Sequence, residues 1–163
     1  MKIRTGIGFD VHQLADGIPF FIGGIRIDHT KGAVGHSDAD CLIHAICDAL
    51  LGAANLRDIG YHFPDTDPQY KGIDSKILLR KTCEIIRSAG YSISNVDSVI
   101  CLQKPKIKDY IPQMQKVLAE VMEIPEEDVS VKATTTEHLG YTGREEGIAC
   151  YANVLIYKII SPS

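Results

Sequence analysis

A chain of 163 residues, 45% hydrophobic and 23% charged, has the length of one domain, and a chain of this size buries roughly 70% of its unfolded surface without needing a staple. Its net charge of -4 and short Lys/Arg clusters argue against nucleic acid as a partner and leave anionic small ligands to local basic groups or metals. The five cysteines, Cys41, Cys47, Cys83, Cys101 and Cys150, form no Cys-x-x-Cys pair and read as reduced core thiols; with no leader pattern and no membrane-length apolar run, a soluble cytoplasmic protein is predicted.

Residues 3–9 alternate, with Ile3, Ile7 and Phe9 to one side, and predict a strand. Apolar segments at 19–22 and 25–27 flank Gly23-Gly24, the pattern of a hairpin with a two-residue turn. A helix is predicted over 38–54, with Leu42, Ile46, Ala49, Leu50 and Ala53 as its apolar stripe and Ser37 or Asp38 as its N-cap. The segment 55–72 holds Gly60, Pro64, Pro68 and Gly72 and reads as a long loop; loops of that length in compact domains are functional or disordered. A second helix is predicted over 74–89, stopping at Gly90, then a strand over 96–102. Ile111-Pro112 opens a third helix with Val117, Leu118, Val121 and Met122 inward. A strand over 129–133, a Gly- and Thr-rich loop over 134–147 and a last strand over 148–160, apolar on both alternations, complete the chain. The expected class is α+β, a single domain over 1–163 with one mixed sheet and three helices packed on one face.

Asp10 and His12 close the first strand. Residues i and i+2 of a strand share a face, so carboxylate and imidazole project together, either as a chelating pair or as a polar strand end. Asp40, His44 and Asp48 recur every four residues along the first helix, a stripe that is either solvated or functional. The segment GHSDAD at 35–40 gathers His36, Ser37 and two acids where that helix begins, and free N–H groups beside a hydroxyl suit a phosphate. One Asp and two His form a good zinc set with a fourth position open, and Asp48, one turn from His44, is expected to hold the second imidazole nitrogen. That residues 10–12 and 44 meet in space does not follow from their spacing.

The acids of 58–68 are either turn formers or part of a substrate-covering loop, one more mobile without ligand than the helices. At 133–147, three threonines offer hydroxyls and amides to a phosphate or base, Glu137 is a hard ligand suited to magnesium or manganese, and Arg144 can fork onto phosphate. A surface turn accounts for the glycines of that stretch equally well. Gly6-Ile7-Gly8 is no dinucleotide fingerprint, because Val11 stands at the third glycine position and no helix follows.

The stretches GIGFDVHQL at 6–14, GHSDADCLIHAICDALLGAANLRDIGYHFPDTDPQYKGIDS at 35–75 and KATTTEHLGYTGREEGIAC at 132–150, with the looser PKIKDYIPQM at 105–114, resemble the cyclodiphosphate synthase family over nearly the whole chain. The resemblance implies a phosphorus-oxygen lyase of the non-mevalonate isoprenoid pathway. In that reaction the 2-phosphate of 4-diphosphocytidyl-2-C-methyl-D-erythritol 2-phosphate attacks the β-phosphorus, and CMP leaves. It implies that Asp10, His12 and His44 bind zinc and that Glu137 binds a second ion, magnesium or manganese. It gives His36 and Ser37 to a mobile phosphate-side loop, Asp58 to the erythritol hydroxyls, and Ile59, Gly60, Phe63 and Asp65 to the substrate-covering segment. It gives Leu102, Lys106, Ile107, Ala133, Thr134 and Thr135 to the cytidine pocket, and His36, Ser37, Asp58, Thr135 and Glu137 to the catalytic set. A homotrimer with shared sites is implied, with Tyr141, where the family usually has Phe, and Arg144 lining a central cavity for an isoprenoid diphosphate. The residues alone also allow a zinc phosphohydrolase that activates water, or a module that binds diphosphates without turnover.

Overall fold

The computed structural model describes residues 1–159. Twelve segments carry the fold: β1 (Lys2–Asp16), β2 (Phe20–Ile22), β3 (Ile25–Ile27), β4 (Lys31–Ala33), α1 (Cys41–Ala53), the short α2 (Ile59–His62), α3 (Ser75–Ser88), β5 (Ser92–Cys101), α4 (Ile111–Met122), β6 (Val129–Thr134), the short α5 (Gly140–Gly143) and β7 (Gly147–Lys158). The mixed sheet has five strands in the order β4-β1-β7-β5-β6; β5 and β6 run parallel, joined by the α4 crossover, and the other neighbours are antiparallel. β2 and β3 form the expected hairpin about Gly23-Gly24, both in the left-handed region. The fold is α+β, with the three long helices on one side of the sheet.

α1 is the centre of the core. Ten of its residues, Cys41 through Ala53, are buried, because it lies between β1 and β7 on one side and α3 on the other. A helix apolar nearly all round is what such a position requires. Its approach to β1 depends on two glycines. A Cβ built on Gly6 would stand 2.0 Å from the carbonyl oxygen of Ala49, and one on Gly8 would stand 1.8 Å from that of Ala45. No residue but glycine fits at these two positions of β1 without moving the helix.

Several boundaries differ from the sequence expectation. β1 runs on through Asp16, since its later half pairs with β7 to Gln13 and then with β4. α1 starts at Cys41, and its N-cap is Asp40, whose Oδ1 accepts the Ile43 N–H at 3.0 Å, instead of Ser37 or Asp38. The cause is backbone: Ala39 has φ 58°, a left-handed conformation that stops the helix from extending backward. The Asp40 carboxylate also accepts the N–H groups of Gly23 and Gly24 at 3.0 and 2.7 Å, tying the hairpin to α1. Burial pushes its pKa up, partly offset by the N–H groups of Ile43 and Gly24.

The segment 55–72 is not a structureless loop. It carries α2 and a single 3-10 turn at Pro68–Tyr70, and its aromatic rings pack in series, Tyr61 on His62, His62 on Phe63 and Phe63 on Tyr70, with centroids 5.1, 6.2 and 5.6 Å apart. The 134–147 stretch likewise holds α5. β7 is buried along the whole of one face in the single chain, with Ile148, Cys150, Ala152, Val154 and Ile156 at 2% exposure or less, while on the other alternation Ala149 is buried but Tyr151 is 44% exposed. The expected end of that strand at Ile160 lies outside the described residues.

Candidate metal centre and adjoining cavity

β1 runs along α1 with its even-numbered positions toward the helix, Gly6 facing Ala49 and Ala53 and Gly8 facing Ala45. Gly6 and Gly8 make the close approach, and the next two even positions, Asp10 and His12, then meet His44 on α1. Three atoms converge: Asp10 Oδ2 lies 2.9 Å from His12 Nε2 and 3.1 Å from His44 Nδ1, and the two nitrogens are 3.2 Å apart. Among the described residues this is the grouping of His, Cys, Asp and Glu with the geometry to hold a metal ion.

The triangle fits a tetrahedral ion. Bonds of about 2.0–2.1 Å place neighbouring ligand atoms of a tetrahedron about 3.3 Å apart, close to the 2.9–3.2 Å edges here. The far nitrogens of both imidazoles are held as a metal site requires. His12 Nδ1 lies 2.9 Å from the Val34 carbonyl oxygen, which can only accept, so the proton sits on Nδ1 and Nε2 is free. His44 Nε2 lies 3.0 Å from Ser75 Oγ and 3.1 Å from Ser37 Oγ. Asp48 does not touch His44 as expected; its Oδ1 accepts the Ile59 N–H at 2.7 Å and fixes the start of α2. One turn along a helix brings side chains near each other, but α3 fills the space beside His44 first.

Electrostatics ready the triangle for a cation. Burial by itself would raise the Asp10 pKa, yet hydrogen bonds and charge from His12 and His44 overcome it and hold the carboxyl at about 2. For His12, burial alone would lower the pKa, but the Asp10 carboxylate wins and raises it. Asp10 is therefore ionised throughout the useful pH range, while the His12 proton is the one a metal must displace. The direction follows: metal affinity is highest above the raised His12 pKa and falls as pH drops through it, by about tenfold per unit. Isothermal titration of the metal-free protein between about pH 8 and about pH 5 measures this; a flat affinity over that range would count against the assignment.

Beside the triangle lies a cavity of about 310 Å³ lined by His12, His36, Ser37, His44, Ile59, Gly60, Phe63, Asp65, Tyr70 and Leu78. Of the expected substrate residues, His36, Ser37, Ile59, Gly60, Phe63 and Asp65 thus share one wall space. Asp58 is exposed at the N-terminal end of α2, its side chain capping nothing. Tyr70 and Leu78 were not anticipated, since nothing local marks a tyrosine in a 3-10 turn or an apolar helix residue as a wall. The loop 35–40 is laced to the segment before α3: Gly72 N–H donates to the His36 carbonyl at 2.7 Å, and Asp38 N–H to the Ile73 carbonyl at 3.1 Å.

The other half of the expected site is elsewhere. Leu102, Lys106, Ile107, Ala133, Thr134, Thr135 and Glu137 are absent from the cavity wall of the same chain. Leu102 lies beside the end of β6, where its N–H donates to the Thr134 carbonyl at 2.9 Å, and His138 N–H donates to Gln103 Oε1 at 3.3 Å. Glu137 is exposed, with left-handed φ 53°. Arg144 forks onto Glu146 of its own chain, at 3.1 and 3.0 Å, and Tyr141 is 41% exposed beside Gly147.

Fold and site together define an α+β protein with an Asp-His-His group, suited to a divalent metal, opening onto a small-molecule cavity. The YgbB family model matches residues 3–157, and the chain belongs to that family. It is 64% identical to a 2-C-methyl-D-erythritol 2,4-cyclodiphosphate synthase of Bacteroides fragilis over 98% of this chain and 100% of the relative, and 63% identical to the enzyme of that name from Porphyromonas gingivalis, over 96% and 97%. Among solved structures, an IspF–CDP complex from Plasmodium falciparum superposes with a TM-score of 0.84 at 34% identity, covering 97% of each chain. The bifunctional IspDF of Campylobacter jejuni superposes with a TM-score of 0.93 at 41% identity, over 97% of this chain and 43% of that longer one.

Proposed function

We propose that this protein converts 4-diphosphocytidyl-2-C-methyl-D-erythritol 2-phosphate into 2-C-methyl-D-erythritol 2,4-cyclodiphosphate and CMP, a phosphorus-oxygen lyase reaction of the non-mevalonate isoprenoid pathway. The observation that carries the reading is the Asp10-His12-His44 triangle, opening beside the His36-Ser37 loop onto a cavity of about 310 Å³. The full-length similarity to synthases of that name supports it. In this reading residues 1–163 are one catalytic domain, working in the cytoplasm, where the five free cysteines stay reduced.

Zinc fits the mixed nitrogen and oxygen donors, and a hard ion such as magnesium or manganese fits Glu137; bound there, such ions neutralise phosphate charge and orient it. The chain's own residues do the rest. Both reacting phosphates are already anionic, so the barrier is repulsion and alignment, and no side-chain nucleophile is needed. His36 and Ser37 bound the phosphate end of the cavity, with Ser37 Oγ able to donate to a phosphate oxygen. Asp58 and Asp65 accept from erythritol hydroxyls, with Ile59, Gly60 and Phe63 excluding water. Leu102, Lys106, Ile107, Ala133, Thr134 and Thr135 hold the cytidine end, with Thr135 next to Glu137. The loops at 36–37 and 58–68 order further on the ligand. Incubating the protein with substrate, zinc and magnesium and identifying products by mass spectrometry tests the reaction. Cyclic diphosphate with CMP is expected; linear phosphate release would instead indicate a phosphohydrolase, and no CMP a binding module.

The two half-sites are brought together by a homotrimer. On the sheet face away from the helices, Ile3, Ile7, Phe9 and Val11 of β1 are 45–75% exposed, with the Tyr151 ring of β7 tilted at 44° against Phe9 at a centroid distance of 4.8 Å. A row of that kind on a sheet side without helices calls for cover, and packing three sheets about an axis supplies it while passing the threonines of one copy to the cavity of the next. Tyr141 and Arg144 then border a central cavity able to take an isoprenoid diphosphate, with Arg144 exchanging Glu146 for phosphate. Ile7→Glu, at the most exposed of these positions, is expected to yield a folded monomer with CMP release near background. Sedimentation equilibrium reads the mass, and a fully active wild-type monomer would overturn both trimer and shared site.

A further inference from the structure

Against the Nε2 edge of His44 stands a small relay, a buried serine and a half-buried aspartate, that the reaction itself does not use. Ser75 is the first residue of α3 and is 0% exposed. Its hydroxyl contacts the Asp38 carboxylate and lies 3.0 Å from His44 Nε2 and 3.5 Å from Ser37 Oγ. Asp38 is itself fixed: Oδ2 accepts the Ser75 N–H at 3.0 Å and Oδ1 accepts the Asp40 N–H at 3.2 Å.

The direction of each bond follows from donor counting. A hydroxyl carries one hydrogen, and an ionised carboxylate only accepts. The Ser75 hydrogen therefore goes to Asp38, which leaves a lone pair facing His44. That lone pair can only receive a proton from Nε2, so a neutral His44 keeps its proton on Nε2 and leaves Nδ1, the atom 3.1 Å from Asp10 Oδ2 in the triangle, bare for a cation. Two serines compete for the single Nε2–H. Ser37 Oγ accepts the Ala39 N–H at 3.1 Å and borders the cavity, whereas Ser75 is buried and oriented by a charge. With Ser75 holding the imidazole, the Ser37 hydroxyl hydrogen is free for a ligand in the cavity.

We propose that Ser75 and Asp38 are positioning residues of the metal centre: the carboxylate orients the hydroxyl, the hydroxyl fixes the His44 tautomer, and Ser37 is thereby released to the ligand. This rests on the metal reading of Asp10, His12 and His44. It divides two serines that lie at nearly equal distance from one nitrogen into different tasks, and it couples α1 to α3 through the site.

The test is zinc affinity by competition with a chromophoric chelator, measured on the full chain alongside the melting temperature of each metal-free variant. Ser75→Ala is expected to weaken zinc binding about tenfold, Ser75→Thr to restore most of it, and Ser37→Ala to leave it within about twofold while raising the substrate KM. Should Ser75→Ala not fold, the zinc-loaded wild type still decides: the His44 Nε2–H should appear as a slowly exchanging imidazole signal in nitrogen-15 spectra, and one exchanging as fast as free imidazole would overturn the proposal. Wild-type affinity in folded Ser75→Ala, or an equal loss in Ser37→Ala, would also overturn it while leaving the metal reading intact. A wild type that binds no zinc would overturn both.

Discussion

Replacing His44 with alanine is expected to empty the metal centre and reduce CMP release by at least about a thousandfold. His44 is one of three converging donors, and its Nδ1 lies 3.1 and 3.2 Å from the other two. Without it only a two-donor remnant is left, Asp10 Oδ2 and His12 Nε2, 2.9 Å apart. A divalent ion at a phosphoryl centre contributes several kcal/mol of transition-state stabilisation, and each 1.36 kcal/mol is tenfold in rate. His12→Ala should act alike. His29→Ala is the control, because its ring packs on Phe20, centroids 6.4 Å apart, away from the triangle. Metal analysis of the purified variants, beside CMP release at saturating zinc, reads both effects. Full zinc occupancy in His44→Ala would remove this residue from the site, whatever the activity.

Gly8→Ala should be the most damaging single methyl in the chain. Its Cβ would sit 1.8 Å from the Ala45 carbonyl oxygen and 2.8 Å from the Ala49 nitrogen, which are main-chain atoms that cannot rotate away. The helix must retreat from β1, opening the core on both sides of α1; overpacking typically costs about 1–3 kcal/mol, and a clash with main-chain atoms places this one at the upper end. The effect reaches the site as well, since β1 carries Asp10 and His12 while α1 carries His44, and a shift of an ångström breaks a triangle whose edges are 2.9–3.2 Å. Denaturant unfolding and zinc titration should therefore fail together. A Gly8→Ala protein of wild-type stability and zinc affinity would show that α1 does not depend on this contact. Gly52→Ala, on the exposed side of α1 with nothing within 4 Å of its added Cβ, should leave both unchanged or slightly raise stability.

The elements of this protein could be read from local pattern because most of them obey it. Alternation marked β1, the two glycines marked the hairpin, and the spacing of apolar residues marked α1, α3 and α4. The pairing of Asp10 with His12 was also local, a consequence of the two-residue repeat of a strand. Where local logic failed, it failed for physical reasons. Asp38 looked like a helix cap but is separated from α1 by a left-handed Ala39, so Asp40 caps the helix and Asp38 instead grips Ser75 across the chain. Asp48 looked like the partner of His44 because one turn separates them; a helix from another part of the chain supplied Ser75, and Asp48 turned to α2. β7 is apolar on both alternations, and a sequence does not distinguish a face covered by the chain's own helices from one left open in the single chain.

By itself, then, the sequence determined which side chains were available and on which face of its own element each would stand: a carboxylate and an imidazole together on β1, a second imidazole on α1, hydroxyls where helices begin. Only the tertiary structure decided that those faces meet. The decision rests on Gly6 and Gly8, whose missing side chains let α1 lie close enough to β1 for three donor atoms to converge, and on α3, whose first residue reaches the far side of the same histidine. Strand and helix periodicities act over a few residues, whereas Asp10 and His44 are separated by 34 and His44 and Ser75 by 31. Over such distances the chain's course is set by which surfaces can pack without clash, a property of shape that no local pattern encodes.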